Sequence, residues 1–259
     1  MSAVLLQAER LGYSVPGRTL LEGVDLAVPR GRVLGLIGPN GSGKTTLLRL
    51  LARQLVPGRG RVLLDGRPVA DWGPRAFARE VAYLPQSPPL GSGLLVEELV
   101  ALGRYPWHGP LGRFGPRDAT QVEEAMRLTQ VEAFAGRAVD SLSGGERQRV
   151  WLAMLLAQET ACLLLDEPTS ALDVAHQVEI LALVHELSRA RGLAVLLVLH
   201  DVNLAARYCD DLAALRGGRL LAHGPATALM RHDLLAEVYG LPLGILPHPV
   251  TGQPMTYLP

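Results

Sequence analysis

The chain is expected to fold as an α/β domain with a mainly parallel sheet, and three observations predict this. Apolar runs alternate with turn signals and amphipathic stretches in a strand–helix rhythm. Within that rhythm, Leu163-Leu164-Leu165 and Leu193–Leu199 are continuously apolar, the pattern of strands covered on both faces. The 259 residues, 48% hydrophobic and 19% charged, suffice for a sizeable core without long disordered tails.

Val4–Ala8, Val24–Val28 and Val33–Ile37 read as the first strands. Arg61–Asp65 follows the turn-rich Pro57-Gly58-Arg59-Gly60 and reads as the next. Val81–Leu84 is a short apolar strand stopped by Pro85. From about Ser87 to Leu142, glycines and prolines are interrupted by amphipathic stretches. In Asp118–Thr129, apolar Val122, Ala125, Met126 and Leu128 recur at helical spacing, so a mainly helical insertion is expected over about 87–142. Strands return at Ala161–Leu165, Leu193–Leu199 and Leu212–Leu215, and Gly217-Gly218 predicts a hairpin turn into Arg219–Ala222. From Leu241 onward, five prolines predict an extended tail. Residues 1–259 are expected to form a single domain.

Composition narrows the function. Acidic and basic residues balance at 25 each, without the basic excess that phosphate-neutralising proteins carry, so no nucleic-acid partner is expected. Cys162 and Cys209 give neither a disulfide framework nor metal-ligand spacing. Cys162 lies in an apolar run and reads as a small buried hydrophobe, so a reducing cytoplasm is expected. No signal peptide is read at the amino terminus. The apolar run Leu193–Leu199 falls far short of the roughly 20 residues that span a bilayer. Work at a membrane would therefore require docking onto a spanning partner.

Gly38-Pro39-Asn40-Gly41-Ser42-Gly43-Lys44-Thr45 fits the phosphate-loop pattern G-x-x-x-x-G-K-[ST], between a predicted strand and a predicted helix. Its glycines let backbone N–H groups converge on phosphate oxygens at a helix start. Lys44 would bridge the outer phosphates and Thr45 would offer its hydroxyl to Mg²⁺, with Thr46 beside it in the nucleotide site. A second element, Leu163-Leu164-Leu165-Asp166-Glu167, ends an apolar strand in two acids. Asp166 suits Mg²⁺ and Glu167 suits a general base towards water, although alone such a pair is an ordinary solvated strand end.

Between these elements lies Leu142-Ser143-Gly144-Gly145-Glu146, followed by Arg147-Gln148-Arg149. Alone it is a helix cap; in this company it resembles the signature motif of ABC ATPases. Glu146, where many members carry glutamine, is a small departure. The resemblance covers essentially the whole chain. It implies a P-loop NTPase core with a mainly parallel sheet, an antiparallel β subdomain and a helical insertion. Tyr13 resembles the aromatic that stacks on adenine, though it also suits an ordinary strand end. Gln86 resembles the glutamine linking Mg²⁺ and the attacking water to the helical subdomain. Ser170-Ala171-Leu172-Asp173 resembles the loop crossing the dimer interface, and His200 resembles the switch histidine of the γ-phosphate.

The resemblance further implies a head-to-tail homodimer with ATP between the phosphate loop of one copy and Ser143-Gly144-Gly145 of the other. Chromosome-associated members carry a long coiled-coil insertion, translation factors two ATPase domains, and exporters a fused membrane domain. None is seen here, so a stand-alone importer motor is implied. It would sit peripherally on the cytoplasmic face of the inner membrane, on a permease fed by a periplasmic or lipid-anchored siderophore-binding protein. Gly103-Arg104-Tyr105-Pro106-Trp107-His108-Gly109, Leu111-Gly112-Arg113-Phe114 and Gly244-Ile245-Leu246-Pro247-His248-Pro249 resemble the ferric hydroxamate (ferrichrome) uptake ATPases. Motors for other siderophores, haem and cobalamin share much of the remaining pattern. The residues of these runs either meet the membrane partner or fold the helical subdomain. Leu94, Leu95, Val96 and Leu99, within Ser87–Leu99, either floor a docking groove or belong to the subdomain core.

Overall fold

The computed structural model describes residues 4–88, 91, 93–109, 112–170 and 172–259. Leu111 and Ala171 of the motif runs lie outside the described residues, as do Pro89, Leu90 and Ser92 of the expected docking segment. The chain opens with β1 (Val4–Val15) and β2 (Arg18–Pro29), an antiparallel hairpin turning at Gly17. Then come β3 (Val33–Ile37), α1 (Lys44–Leu51), β4 (Arg59–Leu64), β5 (Arg67–Pro68), α2 (Pro74–Glu80) and β6 (Val81–Leu84). β1 and β2 run 12 residues each, well beyond the apolar stretches that announce them. Their outer halves set buried Leu11 and Leu21 among polar residues and glycines and are held by backbone pairing across a bulge. There Arg10 takes a left-handed φ of 47° and its N–H donates to Asp25.

Between β6 and α6 (Gly144–Ala157) lie α3 (Val96–Ala101), α4 (Tyr105–His108), α5 (Pro116–Leu128) and short 3₁₀ turns. The expected helix at Asp118–Thr129 is α5, which starts on Pro116, a residue suited to a first helical turn. After it come β7 (Cys162–Leu165), α7 (Val174–Arg191), β8 (Ala194–Val198), α8 (Val202–Tyr208), β9 (Asp211–Arg216) and β10 (Arg219–Pro225). Gly217 and Gly218 turn β9 into β10 with φ of 56° and 80°, as the glycine pair predicts. The chain closes with α9 (Ala226–Leu229), α10 (His232–Tyr239), β11 (Gly244–Pro247) and β12 (Pro254–Tyr257). The tail expected to be merely extended is thus a paired hairpin, in which the Tyr257 ring lies over Gly244 and fills the space a Cβ would need.

Two sheets carry the fold. One is antiparallel, ordered β2-β1-β4-β5. The other has six strands ordered β10-β9-β3-β8-β7-β6, parallel except for edge strand β10. Alternate residues of the parallel strands feed different cores, which is why they read as unbroken apolar runs. Leu34 and Leu36 face α1 and the antiparallel sheet, whereas Val33 and Ile37 face the opposite helical layer. Cys162 is fully buried in β7, and burial pushes its thiol up to about 12. Among the described residues no helix is long and apolar enough to cross a membrane.

The alternatives left open for the insertion divide residue by residue. Val96 and Leu99 are core, so they form no groove floor, and Leu94 packs against them half-buried. Arg104 is only 1% exposed. It bonds Asp118 at 2.8 Å, Glu159 at 2.6 Å and the Ala157 carbonyl at 2.7 Å, so it fastens α5 to the end of α6. Trp107 lies against the Arg79, Arg104 and Arg117 guanidinium groups, and its indole N–H donates to the Gln158 carbonyl. Leu102, Tyr105 and Phe114 stay exposed. Arg104→Ala, which strands two carboxylates, is expected to lower unfolding free energy by about 3 kcal/mol or more in urea titrations. Tyr105→Ser should change it by no more than about 0.5 kcal/mol.

Candidate active site

Four adjacent parallel strands deliver the site residues to one edge of the sheet. Register pairs Leu84 with Leu165, Leu165 with Leu197, and Leu36 with Val198. Gly38, Gln86, Glu167 and His200 therefore emerge at nearly the same height past the carboxyl ends of β3, β6, β7 and β8, where open α/β sheets bind ligands.

After β3 the chain wraps into a loop that only glycine can follow at two points. Gly38 has a φ of 144° with the Leu215 carbonyl 2.1 Å from a built Cβ, and Gly43 has a φ of 103°. Lys44 is 5% exposed. Its Nζ donates to the carbonyls of Gly38 at 2.8 Å and Pro39 at 3.0 Å, and burial lowers its pKa. Buried Ser42 Oγ has no hydrogen-bond partner among the described residues. Asn40, Gly41, Gly43, Lys44, Thr45, Thr46 and Glu167 line a cavity of about 190 Å³, which Arg18 and Leu20 of β2 complete. Arg18 was missed in the sequence, because a cation just past a hairpin turn carries no signal.

Thr45 Oγ1 donates to Asp166 Oδ1 at 3.1 Å, while Asp166 Oδ2 is buried and has no partner among the described residues. A hydroxyl beside an unpartnered carboxylate oxygen is a donor set for a hard divalent cation. Burial raises the Asp166 pKa. Burial and the nearby Asp166 carboxylate together push the Tyr83 phenol up to about 12. Glu167 follows with a left-handed φ of 51°, a conformation costing a non-glycine residue of order 1–3 kcal/mol. Two contacts hold it there: Gln86 Nε2 donates to Oε2 at 2.6 Å, and His200 Nε2 lies 2.6 Å from Oε1.

The structure does not bring every expected residue into this cavity. Tyr13, half-buried in β1, lines a separate cavity of about 970 Å³ with Ser14, Thr19 and Arg59. β2 divides the two, with Arg18 and Leu20 on one side and Thr19 and Leu21 on the other. Ser143 caps α6. Its Oγ accepts the Glu146 N–H at 3.3 Å, and Glu146 Oε2 accepts the Ser143 N–H at 2.8 Å. Those Ser143 contacts hold the Glu146 carboxyl below the usual carboxylate range, so this family departure serves as half of a capping box. Gly144 lines another cavity with Gln86 and Glu167. Gly145 is pressed on the His176 ring, where a built Cβ would sit at 2.5 Å. Asp173 caps α7, accepting the His176 N–H at 3.0 Å, and that contact lowers its pKa. Gln177 donates to the Thr169 and Leu172 carbonyls and fixes the loop before Asp173.

A carboxyl with a folded pKa above its unfolded value withdraws stability as pH rises through that interval. For Asp166 the interval begins at the ordinary value of 3.8 and extends upward. Asp166→Asn keeps an acceptor for Thr45 and removes the buried charge. It is expected to raise the melting temperature of the ligand-free protein at pH 7, with a gain that shrinks as the pH approaches 3.8.

A family model described as ABC transporter matches residues 21–170. The hemin import ATP-binding protein HmuV of Streptomyces coelicolor is 49% identical over 249 residues, covering 96% of this chain and 88% of the relative. The iron(3+)-hydroxamate import ATP-binding protein FhuC of Bacillus subtilis is 40% identical over 250 residues, covering 96% and 93%. Among solved structures, a chain of a metal-chelate type ABC transporter in an inward-facing conformation superposes with a TM-score of 0.84 at 25% identity, covering 98% of this chain and 96% of that one. A loop closed on its own lysine, a strand ending in Asp166-Glu167 and these full-length likenesses agree: the chain belongs to the ABC transporter family, as an ATP-binding subunit.

Proposed function

We propose that the chain hydrolyses ATP as a homodimer docked on an integral membrane permease, at the cytoplasmic face of a bacterial inner membrane. There it drives import of an iron chelate. ATP hydrolysis coupled to transport is the family's activity. The observation that carries the residue assignment is the Glu167 carboxylate, held by Gln86 and His200 beside the cavity of Lys44.

In this reading, Lys44 leaves its two carbonyls for the outer phosphates, and the backbone N–H groups of the Gly38–Thr46 loop, Pro39 excepted, cradle them. Thr45 Oγ1 and Asp166 Oδ2 would hold Mg²⁺, with the Gln86 carbonyl oxygen left over for the ion while its amide holds Glu167. Bound there, the ion neutralises charge on the transferred phosphoryl group. Glu167 has lone pairs beyond those occupied by Gln86 and His200. It orients the attacking water with them and accepts its proton, while His200 keeps the carboxylate in register with the γ-phosphate. Tyr13 lines the cavity on the other side of β2 and is left out of the nucleotide site. Ser143, Gly144, Gly145 and Asp173 do not line the Lys44 cavity of their own chain, which supports their acting on the nucleotide of a second copy. ATP contacting both copies at once then favours the closed dimer, and hydrolysis removes that preference.

The permease face is the groove between α3 and α5, a cavity of about 460 Å³ floored by Ala101, Phe114, Val122 and Met126 and rimmed by Glu97, Glu98, Glu123 and Glu132. Exposed Leu102 and Tyr105 lie close by in sequence. An apolar floor with an acidic rim suits a short amphipathic helix bearing basic residues. The siderophore-binding protein acts through the permease, and no nucleic acid takes part. For cargo, the Tyr105–Phe114 and Ile245–Pro249 runs support a ferric hydroxamate. The relative named for hemin import is more identical than the one named for hydroxamate, 49% against 40%, which supports haem as a second reading.

Glu167→Gln is expected to retain ATP binding and to accumulate an ATP-bound dimer on gel filtration, with turnover reduced about a hundredfold or more; normal turnover would remove Glu167 from its role. Ser143→Arg should bind ATP and remain monomeric under the same conditions. To settle the cargo, the chain is reconstituted with its permease in liposomes, and binding protein loaded with ferrichrome, haem or cobalamin is supplied in turn. Ferrichrome-stimulated ATPase activity supports the hydroxamate reading, and stimulation by haem alone replaces it with the second.

A further inference from the structure

The carboxyl-terminal hairpin β11–β12 is bolted to α8 through one side chain. Asn203 Nδ2 donates to the Thr256 carbonyl at 3.1 Å, and its Oδ1 accepts from the Thr256 N–H at 2.7 Å and from Oγ1 at 3.1 Å. The carboxamide engages β12 as the peptide unit of a neighbouring strand would. An isolated two-stranded hairpin is marginal in water, so this attachment matters to the hairpin. It matters as much to α8, whose seven residues have little helical stability of their own.

Asn203 is also fixed from the other side. Its backbone N–H donates to Asp201 Oδ1 at 2.7 Å, and the Leu204 N–H shares that oxygen at 3.0 Å, forming the cap of α8. Asp201 directly follows His200, whose ring lies on Glu167 at 2.6 Å. The His200 side chain is 43% exposed, so packing alone does not set its direction. The backbone from which it projects does, and that backbone is the capped start of α8. Glu167 is thus approached by two levers: Gln86 from past the end of β6, and His200 from the residue before the cap of a helix whose first turn is tied to a hairpin 53 residues downstream.

We infer that Asn203 and the β11–β12 hairpin form a positioning device for His200, through which the carboxyl-terminal segment sets the rate of ATP hydrolysis. The inference rests on the proposed roles of His200 and Glu167. The device touches neither nucleotide nor water; it fixes the height and direction of the imidazole that holds the base, where small misplacements are costly in rate.

The test is ATPase kinetics on the full chain. Asn203→Ala is expected to lower kcat about tenfold while leaving the KM for ATP within about twofold, with the protein still folded at the assay temperature by circular dichroism. Asn203→Asp keeps both acceptor bonds to Thr256 and should recover most of the rate. Thr256→Val removes only the hydroxyl bond; it should show a smaller loss of the same kind and replaces Asn203→Ala if that variant does not fold. The deciding measurement is single-turnover hydrolysis in a His200→Ala background, where Asn203→Ala should cost nothing further. An unchanged kcat in Asn203→Ala, or an equal loss when His200 is already gone, overturns the inference. A wild-type chain that hydrolyses no ATP overturns the functional reading itself, which separates the two failures.

Discussion

A carboxylate on a left-handed residue, clamped between two donors, is the constraint around which the rest of the molecule is arranged. Glu167 has no glycine's freedom to occupy a φ of 51°, so the conformation persists only because its surroundings over-determine it. β7 supplies the rigid approach, fully buried with a parallel partner on each side. β6 and β8 are those partners, and their register places Gln86 and His200 where they can reach across. A slip of one residue in either strand would invert its core-facing side chains and misplace the donor together, so the hydrophobic core and the clamp select the same register.

Charge is handled by the same economy. Lys44, which lines the cavity, and Asp166, bonded to its Thr45, are both removed from water, and each is only partly compensated by the protein. Lys44 finds two carbonyls of its own loop, whereas Asp166 finds one hydroxyl and leaves an oxygen over. Desolvation moves both pKa values towards the neutral form, and the site holds polar groups that a phosphate and a cation would complete.

Much of this was legible in the sequence because it depends on residue types that admit few alternatives. The phosphate loop could be read from its glycines and Lys44, since no other residue follows a φ of 144° against the Leu215 carbonyl. β7 and β8 could be read because strands covered on both faces have no polar positions to blur them. The length of β1 and β2 could not, since in their outer halves isolated core residues such as Leu11 and Leu21 sit among polar ones and backbone pairing, which composition does not encode, extends them. Arg18 gave no warning, because what it does depends on the distant loop folding back beside it. Arg104 stood in a run with two open readings, and only Asp118 and Glu159 closing on it decide for the structural one. The tail's prolines suggested extension correctly and concealed the pairing, because edge positions tolerate proline without declaring a partner.

The lysine that grips its own loop also acts as a threshold. With Nζ seated on the Gly38 and Pro39 carbonyls, the loop is already wound before any ligand arrives, so binding exchanges one set of acceptors for another instead of ordering a floppy segment. Only an anion with enough charge and reach to draw the ammonium off two carbonyls makes that exchange favourable. A chain of phosphates would meet the lysine and the helix start together, so that exchange would be made at two points at once.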